Sequence, residues 1–152
     1  MQSSAKQIVL AIFSVTALYG CNGGPIVKAN LDSEVKRLCA IDGGIKVYET
    51  VKLTPDKFNE WGQVNFYNPT QGENSLGKDY VFKQENKYYQ RGNPEMWRTH
   101  LEVIRRTDGK TLGESTSYSR RGGDVPGPWH DSAYGCPEQR GDIPLLTAIF
   151  QK

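Results

Sequence analysis

Three cysteines and two histidines are the residues of this chain with the most chemistry to offer. The cysteines are Cys21, Cys39 and Cys136, and three thiols cannot all pair with one another. Neither His100 nor His130 has a second His, a Cys or a carboxylate near it at the spacing of a metal site. We therefore expect no metal and no cofactor.

One short run contains the residue types of a nucleophile relay. His130 lies within residues 129–132, which read Trp-His-Asp-Ser. Consecutive loop residues cannot generally point their side chains at one another, as such a relay requires. Glu49 with Glu102 or Glu114 could form a carboxylate pair, but any small protein offers such pairs. The sequence has no nucleophile elbow, phosphate-binding loop or dinucleotide fingerprint, and we assign no catalytic residue.

The chain begins with an apolar stretch that is too short to span a membrane. Residues 1–7 are polar with one cation, Lys6, and residues 8–19 are almost entirely apolar. A membrane-spanning helix needs about 20 apolar residues, whereas the core of a secretory signal has about 7–15. Because the run is apolar on all sides and leads into Asn-Gly-Gly-Pro, we favour a signal peptide over a buried N-terminal helix.

The apolar stretch ends in Leu-Tyr-Gly-Cys at residues 18–21, which resembles the lipobox of bacterial lipoprotein signal peptides. Tyr19 is bulkier than the residue usual at its position. The resemblance implies that Cys21 carries a diacylglyceryl thioether, that residues 1–20 are removed and that the new amino group is acylated. Asn22 is not the aspartate that retains many such proteins at the inner membrane, which implies the outer membrane, facing the periplasm. Several acyl chains anchor a protein stably.

Lipidation of Cys21 would leave Cys39 and Cys136 as an even pair. In an exported protein such a pair predicts a disulfide, which here would close nearly the whole mature domain. A free catalytic or metal-binding thiol is the alternative.

Length and charge predict one domain that does not bind nucleic acid. The chain has 152 residues and a net charge of +2, with both signs interspersed. We divide it into a signal peptide (1–20), a flexible tether (21–30) and a single globular domain (31–152). Three adjacent basic pairs indicate ordinary solvated charge rather than a basic patch: Lys36-Arg37, Arg105-Arg106 and Arg120-Arg121.

The apolar patterns predict an α+β fold, with a small antiparallel sheet, one to three short helices and one disulfide. A short helix is expected over 31–38, and Thr54-Pro55 begins another that carries Phe58 and Trp61 on one stripe. Strands are expected at 45–53, 80–84 and 87–90, the last two around a Glu-Asn turn, and residues 143–150 form a helix or a closing strand.

Asp108-Gly109 lies between two long alternating runs and predicts a β-hairpin. A two-residue loop would pair Val103 with Glu114 and would place Trp97 opposite Arg120 for a cation–π contact. A three-residue loop with a bulge would shift that register. In the two-residue register, the polar face of the hairpin would carry Arg98, His100, Glu102, Ser115, Ser117 and Ser119.

A Gly- and Pro-rich segment, residues 122–137, follows the hairpin and ends at Cys136-Pro137. Its Pro-Gly-Pro-Trp-His run resembles stretches in small proteobacterial proteins, and this resemblance implies no activity. The aromatic residues of the segment either bind a partner or pack over the disulfide. The candidate binding residues of the chain are Trp129, His130, Tyr134, Arg98 and His100.

These observations favour a non-catalytic binding or envelope-assembly module in the cell envelope. Its expected partners are the membrane, through the lipid anchor, and an envelope protein, a glycan or an incoming toxin. An inhibitor or immunity protein against a secreted enzyme or toxin is one alternative, and a small periplasmic hydrolase is another. The sequence does not indicate the oligomeric state.

Overall fold

The computed structural model describes residues 24–152, so Cys21 and the predicted signal peptide lie outside the described residues. The two α-helices and the antiparallel sheet confirm the predicted α+β class. In chain order the elements are α1 (Gly24–Asp42), β1 (Gly44–Val47), β2 (Val51–Lys52), β3 (Tyr80–Gln90), β4 (Glu95–Arg105), β5 (Thr111–Arg121), β6 (Ala133–Cys136), α2 (Asp142–Ile149) and β7 (Phe150–Gln151).

The main sheet has the strand order β1-β5-β4-β3, and β6 pairs with β5 on the same edge as β1. Every pairing in this sheet is antiparallel. Side chains alternate between its two faces. We call face A the side that carries Leu101 and Val103, and face B the side that carries Tyr118 and Arg120.

Helix α2 covers face A. Its buried side chains Leu145, Leu146 and Ile149 pack on Leu101 and Val103 in the larger core cluster. The helix then runs directly into β7, which pairs in parallel with β2. The prediction of a helix or closing strand over 143–150 is thus met by a helix followed by a short strand.

Helix α1 covers one half of face B. Leu31, Val35, Leu38 and Cys39 recur at helical spacing and form the stripe that faces the sheet. A disulfide joins Cys39 to Cys136 of β6 across 97 residues, as predicted. The chain leaves the helix through Gly43, where a side chain would lie 2.6 Å from the Cys39 sulfur.

Helix α1 is longer than predicted. It begins at Gly24, so the expected flexible tether over 21–30 is wrong from Gly24 onward, and the expected helix over 31–38 extends to Asp42. Pro25 lies in the first turn, where a missing backbone N–H costs no helical hydrogen bond. The Gly-Pro pair therefore begins the helix instead of preventing it.

Three further local predictions are wrong. Tyr80–Gln90 is one continuous strand, because Glu85 and Asn86 pair with β4 and do not turn. Only a 3-10 turn, Pro55–Lys57, forms after Thr54, and Trp61 is exposed instead of lying on a helix over the sheet. The strand expected over 45–53 is divided into β1 and β2, because the N–H groups of residues 48 and 49 both donate to Leu112 O.

The β4–β5 hairpin forms, but its register differs by one residue from the two-residue loop. Val103 pairs with Gly113, and the register shifts again between Val103 and Ile104. This bulge lets Leu112 turn into the core, where it is fully buried. Trp97 therefore lies opposite Ser119, and the expected cation–π contact with Arg120 does not form.

Candidate functional site

Face B beyond the C-terminal end of α1 carries a cluster of half-exposed charged and polar side chains. They lie on three adjacent strands, in rows that run across β1, β5 and β4. We call this cluster the polar patch, and its members are Lys46, Arg98, His100, Glu102 and Glu114. Two of the predicted binding residues, Arg98 and His100, belong to it.

His100 is held in one orientation by its neighbours. Its Nδ1 lies 3.0 Å from Thr116 Oγ1 and 3.4 Å from Arg98 Nη2. Because a guanidinium can only donate, Nδ1 accepts, and in the neutral ring Nε2 carries the proton. That nitrogen lies 3.9 Å from Glu114 Oε2. Thr116 is only 3% exposed, so its hydroxyl is not open to a substrate.

Two carboxylates of the polar patch lie directly opposite each other on β4 and β5, Glu102 and Glu114. Like charges in this position destabilise a sheet unless neighbours compensate them. Lys46 contacts Glu114 at 3.2 Å, and Thr111 Oγ1 donates to Glu102 at 2.7 Å. Burial opposes ionisation of Glu114, but hydrogen bonds from Tyr48 and Lys46 outweigh it and lower the pKa of Glu114.

Glu49, the other carboxylate of the expected acidic pairs, is not part of this arrangement. It binds Arg105 and Lys110 beside the hairpin turn, and hydrogen bonds from these two cations lower its pKa. The carboxylate pair of this fold is Glu102 with Glu114, and the pairing of two strands creates it.

The other three predicted binding residues lie at the opposite end of the sheet. Trp129 and His130 are exposed in the loop after β5, and Tyr134 is 37% exposed on β6. The buried cluster beside the disulfide, within the described residues, includes neither Trp129 nor Tyr134. The structure therefore does not bring the five predicted residues together. It separates them into the polar patch and a second surface, which along β5 begins roughly 7 Å from the level of Arg98 and roughly 20 Å from Glu114.

Arg120 fixes this second surface, and its role was missed from the sequence. Its side chain is 2% exposed, and it donates to both carboxylate oxygens of Asp32 at 2.7 and 3.0 Å. Nη1 also donates to the backbone oxygens of Gly122 and Ser132. The pair Arg120-Arg121 departs from the expectation that the three basic pairs are solvated, because Arg120 is buried and only Arg121 is exposed. The one feature of the sequence that could have indicated burial of Arg120 is its position two residues after Tyr118, on the same face of β5.

A cleft of about 420 Å³ lies along edge strand β3. Tyr67, Phe82 and Asp142 are among its lining residues, and Tyr67 donates to Asp142 Oδ2 at 2.5 Å. Burial and this carboxylate raise the pKa of Tyr67. His100 and Glu102 also contribute to the lining, so the cleft borders the polar patch.

Comparison of the chain with protein families, curated proteins and solved structures finds no match. Among residues 24–152, no three His, Cys, Asp or Glu side chains are grouped so that they could hold a metal ion. No helix in this same range is both long and apolar enough to cross a bilayer.

Proposed function

We propose that this protein is a lipid-anchored cell-envelope protein that carries its anchor on Cys21. The observation that supports this proposal best is the disulfide between Cys39 and Cys136. Disulfides persist in exported proteins, and this one uses two of the three cysteines. The remaining cysteine is the one in the lipobox-like sequence. Outer-membrane location facing the periplasm is part of the proposal and rests on Asn22.

The role we propose is binding or envelope assembly, with the polar patch as the recognition surface. Its side chains are oriented by one another before a partner arrives, which reduces the ordering cost of binding. The polar patch presents positive and negative side chains close together, which suits a polar partner such as an envelope protein or a glycan. Within residues 24–152, the hydroxyl that contacts His100 belongs to Thr116, which is only 3% exposed. An inhibitor or immunity role would use the same surface.

Fractionation of cells that express the wild-type chain or Cys21→Ser tests the anchor. We expect the wild-type protein in the membrane fraction with an acylated N-terminal peptide in mass spectrometry, and the variant in the soluble fraction. Membrane retention of Cys21→Ser would contradict lipidation.

Recognition is tested with detergent-solubilised protein, incubated separately with peptidoglycan sacculi and with an outer-membrane protein extract. We expect specific capture that His100→Ala and Glu102→Gln each weaken at least tenfold. The matched control, Trp129→Ala, changes an exposed residue of the second surface and should retain capture. If Trp129→Ala alone abolished capture, the second surface and not the polar patch would be the recognition surface. Turnover of either material by the wild-type protein would favour the hydrolase alternative.

A further inference from the structure

The loop between β5 and β6, residues 122–132, is attached to the first two turns of α1. Lys28 Nζ lies 2.5 Å from Asp124 Oδ1, and the carboxylate of Asp124 also accepts from the backbone N–H of Ser132 at 2.6 Å. One turn further along α1, Asp32 reaches the loop through Arg120. The loop and the start of α1 therefore form one surface.

This surface lies close in sequence to the proposed lipid anchor. Helix α1 begins at Gly24, three residues after Cys21. Three extended residues span at most about 10 Å. If acyl chains on Cys21 enter a bilayer, the first turn of α1 and the attached loop must lie at the membrane surface.

The same surface exposes apolar side chains. Ile26 is 71% exposed, Val125 is 64% exposed and Trp129 is 56% exposed. Trp129 is fixed by the loop, because its Nε1 donates to Val125 O at 3.1 Å and its ring lies against Gly127, where a Cβ would overlap it. Tryptophan favours the membrane interface, where its apolar ring meets lipid while its N–H keeps a polar partner.

Charged side chains around this surface are largely paired with each other. Lys28 pairs with Asp124, and Arg121 pairs with Glu95 at 3.0 Å. These two cations are therefore neutralised, and the exposed Asp131 of the same loop adds negative charge, so the surface offers apolar contact and little to attract anionic lipid.

We infer that Trp129, Val125 and Ile26 insert into the headgroup region of the membrane that holds the anchor. This inference rests on the proposed lipidation of Cys21. The insertion orients the domain so that the Glu102–Glu114 end of the polar patch, about 20 Å further along β5, is held away from the bilayer. The loop is thus a second, apolar contact with the membrane. Together with the lipid anchor, it fixes the orientation of the domain relative to the bilayer.

The test uses the acylated, full-length processed protein in phosphatidylethanolamine–phosphatidylglycerol vesicles that contain brominated phospholipid, which quenches tryptophan fluorescence at short range. We compare the wild-type protein with Trp129→Phe and with a matched control, Trp61→Phe. Trp61 is 75% exposed but lies between Phe58 and Val64 beside the core of face A. We expect that Trp129→Phe removes most of the lipid-quenched emission and that Trp61→Phe leaves it unchanged, at both 50 mM and 500 mM salt, values chosen to span screening of roughly 14 Å to 4 Å.

Failure of this inference is distinguishable from failure of the anchor. Acylated protein that floats with the vesicles while Trp129 emission is unquenched would overturn the inserted loop and leave the anchor intact. Equal loss of the quenched component in the two variants would also overturn it, and loss of quenching at high salt would overturn the apolar contact. Absence of acylation in the mass spectrum of the N-terminal peptide would instead contradict the proposed function.

Discussion

The two halves of face B are held together in different ways. Under α1, contacts join residues far apart in the chain: the disulfide spans 97 residues, and the Arg120–Asp32 ion pair spans 88. In the polar patch the contacts are side-chain pairs on adjacent strands, His100 with Thr116 across 16 residues and Lys46 with Glu114 across 68. The first half contains a buried core cluster, whereas the second is half-exposed.

This difference indicates that the α1 half supplies most of the stability of face B, which leaves the polar patch free for the recognition role that we propose. Removal of a buried or covalent contact costs several kcal/mol, whereas exposed ion pairs contribute about 0–1 kcal/mol each. Substitutions in the two halves should therefore affect different measurements.

The largest effect is expected for removal of the disulfide by Cys39→Ser with Cys136→Ser. Closing a loop of this length restricts the unfolded chain by up to about 4–5 kcal/mol in the chain-entropy account. We expect urea denaturation to show a loss of about 4 kcal/mol in the free energy of unfolding. Reduction of the wild-type protein is the control and should give a similar loss. A loss below about 1 kcal/mol would show that the disulfide does not stabilise the α1 half.

The next largest effect is expected for Arg120→Met. The substitution leaves the Asp32 carboxylate and the backbone oxygens of Gly122 and Ser132 without their donor, which costs roughly 3–5 kcal/mol. Arg121→Met is the matched control, since the neighbouring side chain is 61% exposed and, within residues 24–152, pairs with Glu95 alone. Its expected cost in urea denaturation is below about 1 kcal/mol. Equal losses in the two variants would contradict the buried role of Arg120.

A smaller, pH-dependent effect is expected for Asp124→Asn. Hydrogen bonds from Lys28 and from the Ser132 backbone lower the pKa of Asp124 from 3.8 to about 2. A lowered folded-state pKa stabilises the fold above the ordinary value, and this contribution is lost as the pH falls towards 2. We expect the wild-type protein to be more stable than the variant above about pH 4, with the gap closing towards pH 2. Urea denaturation midpoints of the two proteins, measured from about pH 2 to about pH 7, test this expectation. A difference in stability that does not change with pH would contradict a contribution from the charge of Asp124.

The structure shows which of these features a sequence can indicate. The disulfide was predictable because the lipobox-like sequence set Cys21 aside and left an even pair, and the Asp108-Gly109 turn was predictable from local turn chemistry. The hairpin register was not predictable from the sequence. The backbone N–H of Arg105 donates to Lys110 O, which closes a longer loop, and the bulge that follows lets Leu112 reach the core. Burial of Arg120 depends on Asp32, a partner distant in the chain, and no local pattern reveals such a pair.

The candidate sites were also predictable only where a local pattern specifies them. Arg98 and His100 were predictable as neighbours, since they lie two apart on one strand. Their separation from Trp129 follows from its place in the loop beyond β5, because His100 lies opposite Thr116 and β5 continues to Arg121. Pairing of Glu102 with Glu114 also requires the correct register, because the two-residue loop would have placed Glu114 opposite Val103.

The smallest effect on stability is expected for Glu102→Gln. Glutamine retains an oxygen that can accept from Thr111 and removes the negative charge opposite Glu114. Loss of a like-charge pair should leave the free energy of unfolding unchanged or raise it by about 0.5 kcal/mol. Capture of the partner should nevertheless fall, since the change alters the charge presented by the polar patch. Urea denaturation and the capture assay on the same sample measure the two effects. A loss above about 1 kcal/mol, or unchanged capture, would contradict the division of face B into a stabilising half and a recognising half.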